Sequence, residues 1–148
     1  MRIAVLILLV TVLHAADGAK VWTNAEIKSM SDKMAAKKEK VGISSLAVFG
    51  NYQMSIGYRN ASGEAELHKT KDDVFYVVSG GATLVTGGTV AKPRTTQPHE
   101  IRGTAIEGGQ KRKIGPGDFV SIPAGTPHQM LLEPGTQISY AIVKVNSK

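Results

Sequence analysis

The sequence predicts an all-β fold, a sandwich or closed barrel with one N-terminal helix. Three observations lead there. Beyond residue 40 the apolar residues alternate with period two instead of following the helical period. The alternating runs are short, and Gly, Pro, Asn and Ser clusters interrupt them about every eight to twelve residues. The chain of 148 residues has no internal repeat and is long enough for one core but short for two.

The elements follow in order. Met1 and Arg2 precede an apolar run from Ile3 to Leu13 and the small residues Ala15, Ala16 and Ala19. One positive charge, a short apolar run and small residues at a cleavage point predict a secretory signal peptide over residues 1–19 and a secreted or periplasmic protein. The run is shorter than the roughly 20 residues of a spanning helix, which weighs against an uncleaved anchor and against stable membrane association once the signal is gone. Residues 20–43 form a helical segment. Thr23 and Glu26 fit a capping box, Ile27, Met30 and Met34 recur at helical spacing, and a helix is expected from Asn24 to Lys40. Its narrow apolar stripe places it on the outside of the domain, with Trp22 anchoring its start.

The barrel is expected over residues 44–148. Ser45–Phe49, Tyr52–Tyr58, Glu64–His68, Val74–Val78 and Ala82–Thr86 read as strands. The polar, Pro-broken connection from Gly87 to His99 reads as a loop at the rim. Ile101–Ile106 returns to strand, Gly108 and Gly109 make a hairpin turn, and Lys111–Ile114 pairs back. Phe119–Ile122, Met130–Leu132 and Ile138–Val145 complete the sheet.

The net charge is +6, and removing residues 1–19 takes away Arg2 and Asp17 and leaves it unchanged. Six lysines between Lys20 and Lys40, and the Lys111, Arg112, Lys113 cluster, account for much of the excess. Without interleaved aromatics or a recognition motif these read as solvated faces, and nucleic acid is not an expected partner. The chain has no Cys, so no disulfide supports an exported fold.

Chemistry concentrates in two stretches. In the first, Gly117 is followed after five residues by Pro123, after one more by Gly125 and after two more by His128. A tight reversal at Pro123–Pro127 delivers His128 onto a strand whose same face carries Met130 and Leu132. In the second, Glu66, His68 and Asp73 precede Val74–Gly80, and Glu64, Glu66 and His68 share one strand face.

These two stretches resemble the paired motifs of the cupin superfamily, and the resemblance spans roughly residues 44 to 145. It implies a single-domain cupin-type β-barrel, a double-stranded β-helix or jelly roll, which commonly pairs as a homodimer through edge strands. In the family's first motif a His-x-His pair precedes a Glu, and six residues after that Glu comes a Gly. Here Gly80 sets the register, His68 takes the second His, Glu66 stands for the first, and Asp73 stands for the Glu. The implied metal ligands are therefore His68, His128, Glu66 and Asp73.

Two imidazoles with carboxylates suit a divalent iron, manganese, nickel, cobalt or zinc ion and leave positions for substrate. Asp73 is one methylene shorter than Glu, about 1.5 Å of reach. Two roles stay open for it, a direct ligand or a partner that orients a histidine. His99 reads as a surface residue by default. Leu132, Met130, Phe75 or Tyr76, and Phe119 are expected to shape a small apolar cavity around the polar centre. The expected function is that of a metal-dependent enzyme acting on a small organic molecule. The alternatives are a non-catalytic module for a sugar or organic acid and, more weakly, a structural barrel. No residue is assigned a catalytic role, because fold alone selects no reaction.

Overall fold

The computed structural model of the chain describes residues 18–147. Most of the expected signal peptide therefore lies outside the described residues. Among those residues no helix is long and apolar enough to cross a membrane.

Helix α1 (Asn24–Ala36) starts as its sequence requires. The Glu26 backbone N–H donates to Thr23 Oγ1 at 3.3 Å, and the Thr23 N–H donates to Glu26 Oε2 at 2.7 Å, closing the capping box. The helix stops four residues before Lys40. Lys38 takes a left-handed φ of 57°, and its N–H and that of Lys37 turn back onto the Ala35 and Met34 carbonyls. That is a helix terminus, and propensity alone did not reveal it. Met34 is buried against Ile56 and Tyr58, so α1 covers one outer flank.

The strands are β1 (Val41–Val48), β2 (Tyr52–Arg59), β3 (Ala65–His68), β4 (Lys71–Gly80), β5 (Ala82–Thr86), β6 (Thr89–Ala91) and β7 (Arg94–Gln97). They continue with β8 (Glu100–Gly103), β9 (Ala105–Glu107), β10 (Gln110–Ile114), β11 (Phe119–Ile122), β12 (His128–Leu131) and β13 (Ile138–Asn146). One sheet has the order β1-β2-β13-β4-β11, the other β10-β5-β12-β3-β8-β7, and β6 and β9 form a two-stranded ribbon. The pairings reported for all three are antiparallel, as a jelly roll requires.

Three sequence expectations are corrected here. The connection from Gly87 to His99 is not wholly loop, since it carries β6 and β7. All four side chains of β7 are exposed, so it has no apolar alternation to betray it. The stretch from Ile101 to Ile106 is two strands rather than one. Thr104 donates its backbone N–H to the Ala91 carbonyl at 3.0 Å, where the chain steps from the large sheet into the ribbon. The Gly108-Gly109 turn does not close a hairpin: β9 pairs with β6, and β10 pairs with β5 across the sheet.

The main core lies between the two sheets. Phe75 and Val77 of β4, Ile122 of β11, and Ile138, Tyr140 and Ile142 of β13 meet Leu84 of β5, Ile114 of β10 and Met130 of β12. Apolar packing therefore fills the barrel from the side of β10 and β11. The opposite side, between β1–β2 and β3–β8–β7, is an open cleft of about 720 Å³. The charged residues of β3, β4 and β13 stand at its floor.

Candidate metal centre

The centre is built from cross-strand pairs. Antiparallel register sets His68 opposite Glu100 and Glu66 opposite Arg102 on β3 and β8, and His128 of β12 opposite Glu66. In the other sheet Lys144 of β13 lies opposite Asp73 of β4. Directly opposed side chains on one face are neighbours, so four register pairs bring charge together from five strands. The turn before His128 is tied to the same place, because Gly125, at φ 79°, donates its N–H to the His68 carbonyl at 2.7 Å.

His128 Nδ1 lies 3.1 Å from the Thr126 carbonyl, which assigns it the N–H and turns Nε2 toward the cluster. His68 Nδ1 contacts the Glu100 carboxylate, so its Nε2 also points inward. The two rings stand 5.2 Å apart between centroids. His68 Nε2 is 3.5 Å from Glu66 Oε2 and 3.3 Å from Asp73 Oδ2, and His128 Nε2 is 3.5 Å from Asp73 Oδ2.

Glu66, His68 and His128 each offer a donor atom, all within 4.8 Å of one another. Donors on one transition-metal ion lie about 3 to 4 Å apart, given bonds near 2.1 Å. Small side-chain adjustments would place these three on one ion, so the donor set fits a divalent metal.

The electrostatics are those of a packed charge cluster. Burial disfavours the Glu66 carboxylate, but the contact with His68 and the charges of Arg102, His128 and Arg59 outweigh it and hold its pKa down to about 2. Arg102 reaches Glu66 Oε1 at 2.7 Å and Arg59 at 3.5 Å, which leaves Oε2 facing His68. Arg59 also donates from Nε to the Tyr140 hydroxyl at 2.9 Å. Asp73, 1% exposed, is likewise opposed by burial, yet His128, His68 and Lys144 hold it far below the usual carboxylate range.

Burial works against a charged His68, whereas the bonds to Asp73 and Glu66 raise its pKa to about 9. Lys144 pushes the other way. Its Nζ is 2.9 Å from His68 Nε2, a contact that favours a lone pair on that nitrogen.

All four residues named from the sequence as metal ligands meet here. Asp73 reaches both imidazoles despite its shorter side chain, but Lys144 holds both its oxygens, at 2.6 and 2.8 Å. Glu64 stays at the rim, held by Arg94 at 2.7 Å. His99 is exposed, at φ 66° in the β7–β8 turn.

The apolar cavity is corrected in part. Phe75 and Met130 line a pocket of about 30 Å³ beside His128, whereas Tyr76 and Phe119 are 46% and 72% exposed on the outside, their rings 6.4 Å apart. The inward residues of β4 are Asp73, Phe75 and Val77, and strand alternation puts Tyr76 on the other face. The sequence reading missed Glu100, Lys144, Arg59 and Arg102. Arg59, Arg102 and Lys144 fall in the inward rows of their strands by alternation, whereas Glu100 lies in a stretch that reads as loop.

No family model matches the chain, and no curated protein matches its sequence. Solved structures do match. One is the polyketide cyclase RemF from Streptomyces resistomycificus, at 18% identity over 72% of this chain and 66% of that one, with a TM-score of 0.52. A second is the DMSP lyase DddQ from Ruegeria pomeroyi, at 17% identity, covering 76% of this chain and 50% of that one, with a TM-score of 0.53. A third is a cupin protein from Bacteroides fragilis, at 14% identity over 71% and 76% of the two chains, with a TM-score of 0.50. This chain thus spans half the length of that lyase and just under two thirds of that cyclase. At such identities the likeness is one of fold.

Proposed function

We propose that this chain, which has the cupin fold, holds a divalent metal ion on His68, His128 and Glu66 and acts through it on a small organic molecule in the cleft. The observation that carries this reading is the convergence of three ligand atoms at the floor of an open cleft. Its volume, about 720 Å³, falls in the range of small-molecule sites. Iron, manganese, nickel, cobalt or zinc suits the donor set and, when bound, supplies a Lewis acid with open positions for oxygen donors.

The chain's own residues prepare the site. Glu100 and the Thr126 carbonyl orient the two imidazoles, and Arg102 and Arg59 keep Glu66 ionised and aimed. A hydroxy acid or similar small anion would meet the cationic side chains of Lys40, Lys71 and Arg102 on the cleft wall. Structures named as a cyclase and as a lyase share this fold, which selects no reaction by itself. The proposal includes export and pairing of two copies through an edge strand. β1 ends its sheet and leaves Ile43 and Val48 exposed.

One observation favours a second reading, a metal-free module that binds a sugar or organic acid. Glu66 is already faced by Arg59 and Arg102, Asp73 by Lys144, and Glu100 by His68 and Lys71, so the cluster balances its own charge. Elemental analysis of untagged protein followed by Co²⁺ titration decides between the two. The metal reading expects one ion per chain. It also expects His128→Ala to weaken Co²⁺ binding by more than the 10–100-fold typical of losing an outer partner. Protein that neither carries a transition metal nor takes up Co²⁺ overturns it.

A further inference from the structure

Lys144 is the group that neither the motifs nor the donor set explains. It sits on β13 in the inward row of Tyr140 and Ile142, two residues beyond the last apolar member of that row. Its register partner is Asp73, and its ammonium lies 2.6 and 2.8 Å from the two Asp73 oxygens. The same nitrogen lies 2.9 Å from His68 Nε2, the atom that a metal would need. A tethered cation therefore already stands among the ligands. Two cations cannot share that place, because the donor atoms around it offer one set of lone pairs.

The ammonium also has somewhere to go. Lys144 lines the cleft and also an adjoining cavity of about 240 Å³ bounded by Gln53, Lys71, Phe49 and Asn146. A lysine stem has four rotatable carbons, so its head can leave Asp73 without the strand moving. The group is 22% exposed at the side chain, in contrast to 2% for Asp73, so the cage stays closed while its plug faces the opening.

We propose that Lys144 is a displaceable internal counter-cation. Its ammonium fills the cation position when no metal is bound, and a divalent metal enters only as Lys144 swings into the cleft. There the freed ammonium becomes a binding group for an anionic ligand beside the metal. The exchange is non-covalent, one cation for another, and releases no bond. It makes metal affinity depend on a residue that ligates nothing. The inference rests on the metal reading above, and the two can fail separately.

The test is Co²⁺ titration of the full chain by absorption spectroscopy, comparing wild type with Lys144→Met, which keeps the stem and removes the charge. Loss of a competing charge-assisted contact is expected to tighten Co²⁺ binding by about tenfold or more. Wild type that binds Co²⁺ while Lys144→Met binds no tighter overturns the counter-cation and leaves the metal reading standing. Binding by Lys144→Met alone overturns the metal reading and the displacement with it, because the wild-type ammonium then yields its place to no metal. Binding by neither overturns both.

If Lys144→Met fails to fold with Asp73 uncompensated, Lys144→Gln keeps a donor to Asp73 without the charge and takes its place. If both fail to fold, wild-type labelling decides. An amine-reactive reagent, read by peptide mapping, is expected to modify Lys144 several-fold faster with Co²⁺ than without, and an unchanged rate overturns the proposal.

Discussion

At the scale of single residues, the centre depends on groups that coordinate nothing themselves. Glu100 is the clearest case, since its carboxylate meets His68 Nδ1 and thereby fixes which ring nitrogen faces inward. Glu100→Gln is expected to lower Co²⁺ affinity about 10–100-fold with the fold intact, as for other partners that orient a ligating imidazole. Titration of Co²⁺ together with a circular dichroism spectrum checks both halves. An unchanged affinity would reduce Glu100 to a surface ion pair. His128 and His68 were legible in the sequence because turn residues and motif spacing announce them. Glu100 was not, because its neighbour His99 and the surrounding Pro and Thr read as loop, and only the register of β3 against β8 sets it opposite His68. Lys144 was missed for a related reason. In the run from Ile138 to Val145 it looks like a strand's polar end, and its partner Asp73 is more than 70 residues away.

At the scale of elements, local chemistry was readable and pairing was not. The capping box of α1, the strand Phe119–Ile122 and the reversal that delivers His128 follow from residues adjacent in the chain. The ribbon of β6 and β9, and the pairing of β10 with β5, depend on which strands meet across the barrel, which no local pattern records. Gly80 shows how an element boundary is enforced. It takes φ 70° at the end of β4, and a Cβ there would sit 1.9 Å from the carbonyl oxygen of Gln137, the residue just before β13. Gly87 has a similar φ of 73° but nothing within 4 Å. Gly87→Ala is therefore expected to cost only the backbone strain, about 1 kcal/mol. Gly80→Ala adds a collision between backbones and is expected to cost roughly 3 kcal/mol or more, within the upper range of such mechanisms. Urea denaturation of both variants measures the difference, and equal costs would mean that β4 and β13 can part at this point without penalty.

At the scale of the whole molecule, the barrel divides its interior between an apolar end that supplies stability and a charged end whose contribution varies with pH. Two opposite titrations control that variation. Glu66 falls from an ordinary 4.5 to about 2, so its stabilisation is present above pH 4.5 and is lost as the pH drops toward 2. His68 rises from 6.5 to about 9, so its stabilisation is complete below pH 6.5 and is lost as the pH climbs through 9. Each unit is worth about 1.4 kcal/mol, which bounds the alkaline loss near 3 kcal/mol, and that loss belongs to the coupled His68–Lys144–Asp73 cluster as a unit. Chelated protein is therefore expected to melt highest between about pH 5 and 6.5 and to lose Tm steadily up to pH 9.5, with the alkaline loss absent in His68→Gln. A bound metal reverses the demand, because it needs the neutral imidazole and drives the proton off. The gap in Tm between Co²⁺-loaded and chelated protein should then widen from pH 6.5 to 9. A gap that stays constant would mean that His68 does not exchange its proton for the metal, and that the ion, if bound, sits elsewhere in the cleft.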